Sequence, residues 1–259
     1  MWVSRASLPS ACILMNSICI AESRSPASPV LLPLAGIEPF SSCDWPGRLV
    51  ATVFVAGCPW RCGYCHNAAL QARSAGVLDW PAVRAVLAQR VGFLDGVVFS
   101  GGEPTLAPQL AEWMQDARQL GMAIGLHTAG IYPQRLAAVA GLVDWIGFDI
   151  KAAPGGVDVV SGVSGSEARM WQALDIALAM VSDSGAALEC RTTLDPRVMT
   201  ADSLFQLADT LQAKGVTHAA LQQGRDGKGQ PLFDAAQWPG RAVLDYWQQS
   251  FTHFVWRAA

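Results

Sequence analysis

The sequence of 259 residues lacks three features that would place it in common protein classes. Its 18 Lys and Arg are scattered and fewer than its 21 Asp and Glu, so the basic stripe of a nucleic-acid-binding protein is missing. No apolar run reaches the roughly 18 residues of a membrane span. Its seven cysteines form no framework like those that cross-link small secreted domains. We therefore expect no nucleic-acid or membrane partner and a reducing, cytoplasmic location.

Three of the seven cysteines, Cys58, Cys62 and Cys65, nevertheless lie within eight residues. Soft thiolate ligands from one loop suit zinc or an iron–sulfur cluster better than magnesium or calcium. A structural zinc site needs four protein ligands, and His66 directly follows Cys65, which makes joint chelation awkward. Three thiolates instead suit a four-iron cluster with one iron open to a substrate or cofactor. A zinc-stabilised binding module without catalysis is the alternative.

The pattern Cys58-x-x-x-Cys62-x-Tyr64-Cys65 resembles the signature of the radical S-adenosylmethionine (SAM) superfamily. Its surroundings, Asp44-Trp45-Pro46-Gly47 before it and Cys65-His66-Asn67 at its end, are similar to those of the anaerobic ribonucleoside-triphosphate reductase activating proteins. The likeness runs from about Leu34 to the last residue. The resemblance implies one 4Fe–4S cluster held by the three cysteines, with SAM as the second cofactor.

The resemblance also implies an activity and its partners. The protein would be a radical SAM oxidoreductase that reductively cleaves SAM to a 5′-deoxyadenosyl radical. It would then generate a glycyl radical on a glycyl radical enzyme, anaerobic ribonucleoside-triphosphate reductase, with a flavodoxin-like protein as electron donor. The alternative within the superfamily is an enzyme that acts on a small molecule and is similar to 7-carboxy-7-deazaguanine synthase.

Strand and helix patterns alternate along the chain in six strand–helix units, which predicts an α/β fold with a parallel sheet. Six units allow either a splayed partial barrel or an open doubly wound sheet. The resemblance implies the first of these, the radical SAM partial (β/α)6 TIM barrel. The predicted strands are residues 48–56, 96–100, 122–128, 143–151, 186–193 and 218–223, and the predicted helices are residues 80–91, 108–120, 133–140, 167–182, 201–214 and 239–250.

The two ends of the chain are harder to assign. Residues 1–33 combine an apolar run with a Ser- and Pro-rich tract, which would also fit a signal peptide. Because iron–sulfur chemistry needs a reducing compartment, we expect a disordered, dispensable extension there and one radical SAM core domain at residues 34–259. Residues 37–47 are predicted to be a turn-rich lead-in. Residues 251–256 form an apolar closing segment of unassigned structure.

Polar residues follow the predicted strands at the end where barrel enzymes carry their active sites. Ser100-Gly101-Gly102-Glu103-Pro104-Thr105 is typical of a tight turn, and it also resembles the superfamily's Gly-Gly-Glu element. The resemblance implies that Gly101, Gly102 and Glu103 hold the amino group of SAM. Tyr64 either packs the cysteine loop or, as the resemblance implies, lies beside the adenine, where a flat ring can stack.

Asp149 and Lys151 are two residues apart and therefore emerge on one face of their strand. An ion pair between them would explain both. The resemblance implies instead an Asp-x-Lys element that contacts SAM. Arg191 on the next strand has a planar donor fork that suits the carboxylate or ribose of SAM. His127 also ends a strand, and a lone histidine there is more typical of a structural role.

Overall fold

The computed structural model describes residues 34–73 and 76–258, which belong to one compact unit. The prediction for residues 1–33 lies outside this part. Its strands are β1 (Leu34–Ser41), β2 (Val50–Val55), β3 (Gly96–Gly101), β4 (Ala123–Thr128), β5 (Trp145–Asp149), β6 (Ala187–Leu194), β7 (His218–Gln223) and β8 (His253–Arg257). Its α-helices are α1 (Trp80–Ala88), α2 (Leu110–Gln119), α3 (Pro133–Ala137), α4 (Val157–Ser161), α5 (Ser166–Ser184), α6 (Ala201–Ala213) and α7 (Arg241–Ser250).

The eight strands form one sheet whose spatial order is the order of the chain. β1 runs antiparallel to β2, and each later neighbouring pair is parallel. A doubly wound sheet reverses its strand order at a switch point, and this sheet does not. The α/β partial barrel is therefore confirmed, with six strand–helix units from β2 to α7, and the doubly wound alternative is wrong.

Alternate residues of each strand face opposite sides of the sheet, which divides the core in two. On β5, Ile146 and Phe148 join the large apolar core that includes the helices. Trp145, Gly147 and Asp149 lie on the other, inner face. There a small apolar cluster of Trp45, Val50, Val98 and Trp145 fills the region near the amino ends of the strands. Near the carboxyl ends of the strands, the inner face carries polar side chains instead.

Two terminal segments differ from their predictions. The turn-rich lead-in predicted at residues 37–47 is wrong in its first part, because β1 extends through Ser41 and pairs with β2. Pro39 is accommodated where the register between Glu38 and Ser41 is irregular, as an edge strand allows. The segment left unassigned at the other end contributes β8, a parallel partner of β7.

The remaining predicted elements are found with small changes at their ends: α5 extends beyond its predicted bounds at both ends, and the other five predicted helices are shorter by one to several residues. One helix was not predicted: α4 has only five residues, too few to show a helical period. Within residues 34–73 and 76–258, none of the helices has the length and apolar character that crossing a membrane would need.

Candidate functional site

The cysteine loop follows β2 and is closed by its own backbone. The N–H of Gly57 donates to the carbonyl of Leu70 (2.7 Å), and the N–H of Cys58 donates to the carbonyl of Gln71 (3.1 Å). Within the loop, the N–H of Cys65 donates to the carbonyl of Cys62 (3.1 Å). All three cysteines are free thiols of intermediate exposure. These hydrogen bonds fix the conformation of the loop that carries the three thiols.

Arg61 fastens the cysteine loop from within. Its Nη1 donates to the carbonyls of Cys58 (2.6 Å) and Trp60 (2.8 Å), and its backbone N–H donates to the carbonyl of Ser161 (2.7 Å) at the end of α4. The unpredicted helix α4 therefore supports the loop. Sequence patterns gave no signal for this contact, because it joins residues one hundred positions apart.

The environment of the thiols suits a cluster of positive metal ions. Burial raises the pKa of Cys58 to about 11 and also raises the pKa of Cys62, so isolated thiolates are disfavoured there. Bound iron supplies the positive charge that makes thiolates favourable. Within the described part of the chain, no three His, Cys, Asp or Glu side chains converge on a single ion. Three thiols that bind different irons of one cluster have no need to converge. The donor set therefore fits a cluster.

Tyr64 lies between Cys62 and Cys65 in the sequence, and its hydroxyl is unsatisfied. The residue is 5% exposed, and among the described residues its buried hydroxyl has no hydrogen-bond partner. Lys151 Nζ lies 5.9 Å from the centre of its ring. A cavity of about 280 Å³ opens beside it, with Arg61 and Asp195 in its wall. Because a buried polar atom normally has a partner, this hydroxyl marks a place where a bound molecule or water completes the site.

The Gly-Gly-Glu element packs directly against the start of the cysteine loop. Gly101 has φ +117°, and a side chain there would meet the backbone of Val55. The N–H of Gly102 donates to the carbonyl of Val55 (2.8 Å), and the N–H of Glu103 donates to the carbonyl of Gly57 (2.9 Å). Glycine is required because a Cβ would separate the two backbones. The structure thus brings two of the predicted elements together.

The carboxylate of Glu103 is 1% exposed and joins the ends of β3 and β4. Its Oε1 accepts hydrogen bonds from the N–H (3.1 Å) and hydroxyl (2.6 Å) of Thr105 and from the hydroxyl of Thr128 (2.7 Å). Its Oε2 accepts one, from the N–H of Ala129 (3.0 Å). Burial raises the pKa of Glu103, and these hydrogen bonds act in the opposite direction. The sequence did not indicate this role for Thr105 and Thr128, because neither residue is charged and their spacing from Glu103 forms no recognisable pattern.

Asp149 joins Lys151 and Arg191 on the inner face. Its Oδ1 accepts from Arg191 Nε (3.0 Å) and Nη2 (2.8 Å), and its Oδ2 accepts from Lys151 Nζ (3.3 Å). Burial alone would raise the pKa of Asp149, but Lys151 and Arg191 outweigh it and hold that pKa below its ordinary value. The trio therefore carries a net positive charge beside Tyr64, and this charge suits an anionic group such as a carboxylate.

Gly147 makes room for the guanidinium of Arg191. The two lie on adjacent strands, and a Cβ at Gly147 would be 2.8 Å from Cζ and Nη1 of Arg191. Arg191 Nη2 also donates to the carbonyl of Gly147 (3.2 Å). Because Gly147 has no side chain, the Arg191 side chain can pass over it on the inner face and reach Asp149.

His127 has a structural arrangement. Its Nε2 lies 2.7 Å from the carbonyl of Asp44, which can only accept, so Nε2 carries the proton and donates. Its Nδ1 then accepts from the hydroxyl of Ser100 (3.1 Å). Burial lowers the pKa of His127 to about 3, so the ring is neutral. Both ring nitrogens are engaged, and His127 fixes the lead-in segment to β4.

The Asp44-Trp45-Pro46-Gly47 segment fills the inner face below these polar groups. The carboxylate of Asp44 accepts from the hydroxyl of Thr52 (2.6 Å). The Trp45 ring stacks on that of Trp145, with ring centres 5.4 Å apart and planes at 18°. At Gly125 any side chain would be 2.9 Å from the Trp45 ring. This segment therefore supports the strands whose opposite ends carry the site.

The sequence profile described as Radical SAM superfamily matches residues 52–186, more than half of the chain. The chain belongs to the radical SAM superfamily. It is therefore an enzyme of this superfamily, which uses a 4Fe–4S cluster held by three cysteines together with SAM. The predicted enzyme class and cofactors are confirmed, and the alternative of a non-catalytic zinc module is wrong.

Curated relatives include two named as glycyl-radical enzyme activating enzymes. The one from Methanocaldococcus jannaschii is 26% identical over 189 residues, which cover 69% of this chain and 75% of the relative. The one from Haemophilus influenzae is 30% identical over 48% of this chain and 49% of the relative. PqqA peptide cyclase of Gluconobacter oxydans is 35% identical over 43% of this chain. The match spans 33% of that protein.

Solved structures share the fold at low sequence identity. SuiB of Streptococcus suis bound to the precursor peptide SuiA has a TM-score of 0.61 and is 15% identical, with 81% of this chain and 48% of that chain covered. A radical SAM methyltransferase from Sphaerobacter thermophilus has a TM-score of 0.60 and is 14% identical, with 83% of this chain and 67% of that chain covered. Both support the partial barrel.

Proposed function

We propose that this radical SAM enzyme is an activating enzyme that generates a glycyl radical on anaerobic ribonucleoside-triphosphate reductase. The match to the Methanocaldococcus jannaschii relative carries the proposal, because it covers 69% of this chain and 75% of that protein. The Asp44-Trp45-Pro46-Gly47 segment adds support, since it resembles the reductase-activating proteins. We place the enzyme in the cytoplasm, with a flavodoxin-like electron donor.

In this proposal Cys58, Cys62 and Cys65 hold the cluster, and Arg61 keeps their loop in shape before the cluster binds. When the reduced cluster and SAM are bound, the chemistry supplied is reductive cleavage of SAM to a 5′-deoxyadenosyl radical. The protein provides position and exclusion of water. The half-buried loop and the buried Tyr64 ring would limit access of solvent to the reacting atoms.

The groups proposed to hold SAM differ in what they can accept or donate. Lys151 and Arg191 are donors only, so they suit the carboxylate of SAM, and Asp149 positions both. Oε2 of Glu103 accepts a single hydrogen bond and has capacity for the amino group. Gly101 and Gly102 let the strand end approach closely, and the Tyr64 ring offers a face for adenine.

Two anaerobic measurements test the proposal in sequence. Reconstitution with iron and sulfide should give roughly four irons per chain, and dithionite reduction should then yield 5′-deoxyadenosine from SAM. Cys62→Ala should lose both. Cys43→Ala should keep both, because Cys43 is exposed and lies outside the loop. Normal cleavage by the Cys62 variant would overturn the assignment of the ligands.

The partner is tested separately by mixing the active enzyme, SAM and the candidate reductase. Electron paramagnetic resonance should detect a protein-centred radical with the coupling of a glycine α-hydrogen. Vigorous SAM cleavage without this signal would reject the reductase as partner while leaving the radical SAM chemistry intact. Turnover of a small molecule under the same conditions would favour the deazaguanine-type alternative instead.

A second candidate function is modification of a peptide side chain. The observation that favours it is the 35% identity to PqqA peptide cyclase, higher than the 26% identity to the Methanocaldococcus jannaschii relative. Against it, that match covers only a third of the cyclase. Mass spectrometry of candidate peptides after reaction distinguishes the two, because a cross-linked product loses two hydrogens and a glycyl radical product does not.

A further inference from the structure

A row of polar side chains lies on the inner face of the sheet, at the carboxyl ends of its last three strands. Thr193 of β6, Gln222 of β7 and Arg257 of β8 are neighbours in register. Thr193 follows Arg191 by two residues and therefore faces the same side, one step closer to the strand end. Arg191 is in turn the register partner of Asp149. The row thus adjoins the charged groups proposed to hold SAM and includes none of them.

The alternate residues of β7 and β8 confirm the face on which the row lies. Leu221 and Trp256 point the other way, into or against the large apolar core that includes the helices. Val255 lies on the same face as Arg257 and is 44% exposed although it is apolar. β8 is the last strand of the sheet. This part of the inner face is therefore open to a second molecule and offers it an apolar contact beside the polar row.

The row has free hydrogen-bonding capacity and no net charge. Thr193 and Gln222 are half-buried, and within the described residues neither side chain has a hydrogen-bond partner. Arg257 Nη2 donates to Oε2 of Glu189 (2.8 Å), so its guanidinium is held in place and its charge is balanced. A hydroxyl, a carboxamide and the remaining guanidinium N–H groups together offer donors and acceptors.

These groups suit a peptide backbone better than a charged ligand. The carboxamide of Gln222 has an acceptor oxygen and a donor nitrogen in one plane, so it can bond to the N–H and C=O of one extended residue. A chain that enters this face loses water from its backbone groups and needs such partners. The row crosses three strands and spans about 10 Å, the length of about three extended residues.

We propose that Thr193, Gln222 and Arg257 bind the main chain of the glycine-bearing segment of the partner protein. Gln222 bonds to the N–H and C=O of one residue of that segment, and Val255 packs against it. Glycine has no side chain, so an enzyme that selects it must bind the backbone around it. This inference rests on the proposed function and adds the surface by which the enzyme holds its target.

The rate of glycyl radical formation, measured by electron paramagnetic resonance at several concentrations of the candidate reductase, tests the row. Gln222→Ala should raise the reductase concentration that gives the half-maximal rate by about tenfold, because two hydrogen bonds are lost. Thr193→Val, which has nearly the same shape, should raise it by about threefold. The maximal rate should not change, because these bonds persist through the reaction. Gln206→Ala, at an exposed site on α6, should behave as the wild type.

Calorimetry of SAM binding in the absence of the reductase completes the test. Both variants should bind SAM as the wild type does, because the row lies outside the groups proposed to hold SAM. Weaker SAM binding by either variant would overturn the inference. So would an unchanged half-maximal concentration for Gln222→Ala while the wild type forms the radical. If the wild type forms no radical, the reductase is rejected as partner and the inference falls with it.

Discussion

Glu103 and Asp149 are carboxylates at the carboxyl ends of β3 and β5, and they are surrounded in opposite ways. Glu103 is almost fully buried and accepts hydrogen bonds only from neutral groups. The Asp149 side chain is 33% exposed and lies between two cations, Lys151 and Arg191. The pKa of Glu103 is raised by burial, whereas Lys151 and Arg191 hold the pKa of Asp149 below its ordinary value although its partial burial acts in the opposite direction.

This difference indicates that Glu103 and Asp149 have different roles, although the sequence motifs imply the same role, a contact with SAM, for both. Glu103 joins the ends of two strands to the cysteine loop, so its hydrogen bonds are part of the folded structure. Asp149 instead holds two donors near Tyr64, where a bound anion can share them. Removal of Glu103 should therefore weaken the fold as well as the proposed contact with the amino group of SAM, whereas disturbance of the Asp149 trio should mainly weaken ligand binding.

The largest expected effect is on stability, from Glu103→Ala. The variant leaves the N–H groups of Thr105 and Ala129 and the hydroxyl of Thr128 without their acceptor in a buried site. We expect the free energy of unfolding to fall by about 3 kcal/mol. Urea unfolding of the metal-free protein measures it. Glu112→Ala, at an exposed site, should change it by less than about 0.5 kcal/mol. Equal stability of the two variants would contradict the supporting role of Glu103.

A smaller effect on stability is expected when the Asp149 trio is disturbed. Gly147→Ala places a Cβ 2.8 Å from the Arg191 guanidinium and should displace it from Asp149. Unfolding should become easier by about 1 kcal/mol, and SAM should bind more weakly in calorimetry. Gly141→Ala is the matched control, because a Cβ at Gly141 has open space. Unchanged SAM affinity in the Gly147 variant would indicate that the position of Arg191 does not matter for SAM.

Long regular elements of this fold could be predicted from the sequence. The strand β7 was predicted with its observed bounds, and the six strand–helix units follow from alternating patterns of adequate length. The short or edge elements could not be predicted. β1 contains Pro39, and α4 has five residues, so neither shows a clear period. Their structure depends on tertiary pairing with β2 and with the cysteine loop.

The candidate site likewise has residues that could be predicted from the sequence and supporting contacts that could not. Cys58, Asp149 and Arg191 could be predicted as site residues because their residue types and strand-end positions carry information. The bonds that support them were not identified. Arg61 meets Ser161, and Glu103 meets Thr128, across large separations in sequence. Such contacts have no periodicity or spacing, so only the folded chain reveals them.

As the pH is lowered, Glu103 and Asp149 should change the free energy of unfolding in opposite directions, each by a small amount. Because the pKa of Glu103 is raised above its ordinary value of 4.5, the native state binds a proton before the unfolded state does. The wild type should therefore gain stability relative to Glu103→Gln as the pH falls through that window. Asp149 is the reverse, because its pKa is held below the ordinary value of 3.8. Below that pH the unfolded state binds the proton first, and the wild type should lose stability relative to Asp149→Asn.

The measurement is urea unfolding of the wild type and both variants between about pH 6 and pH 3. The difference between wild type and Glu103→Gln should grow in favour of the wild type toward pH 4.5, while the difference for Asp149→Asn stays flat and then declines below pH 3.8. Parallel curves for the two variants would show that the two carboxylates share one environment. Opposite slopes would show that burial outweighs the neutral donors at Glu103, whereas Lys151 and Arg191 outweigh burial at Asp149.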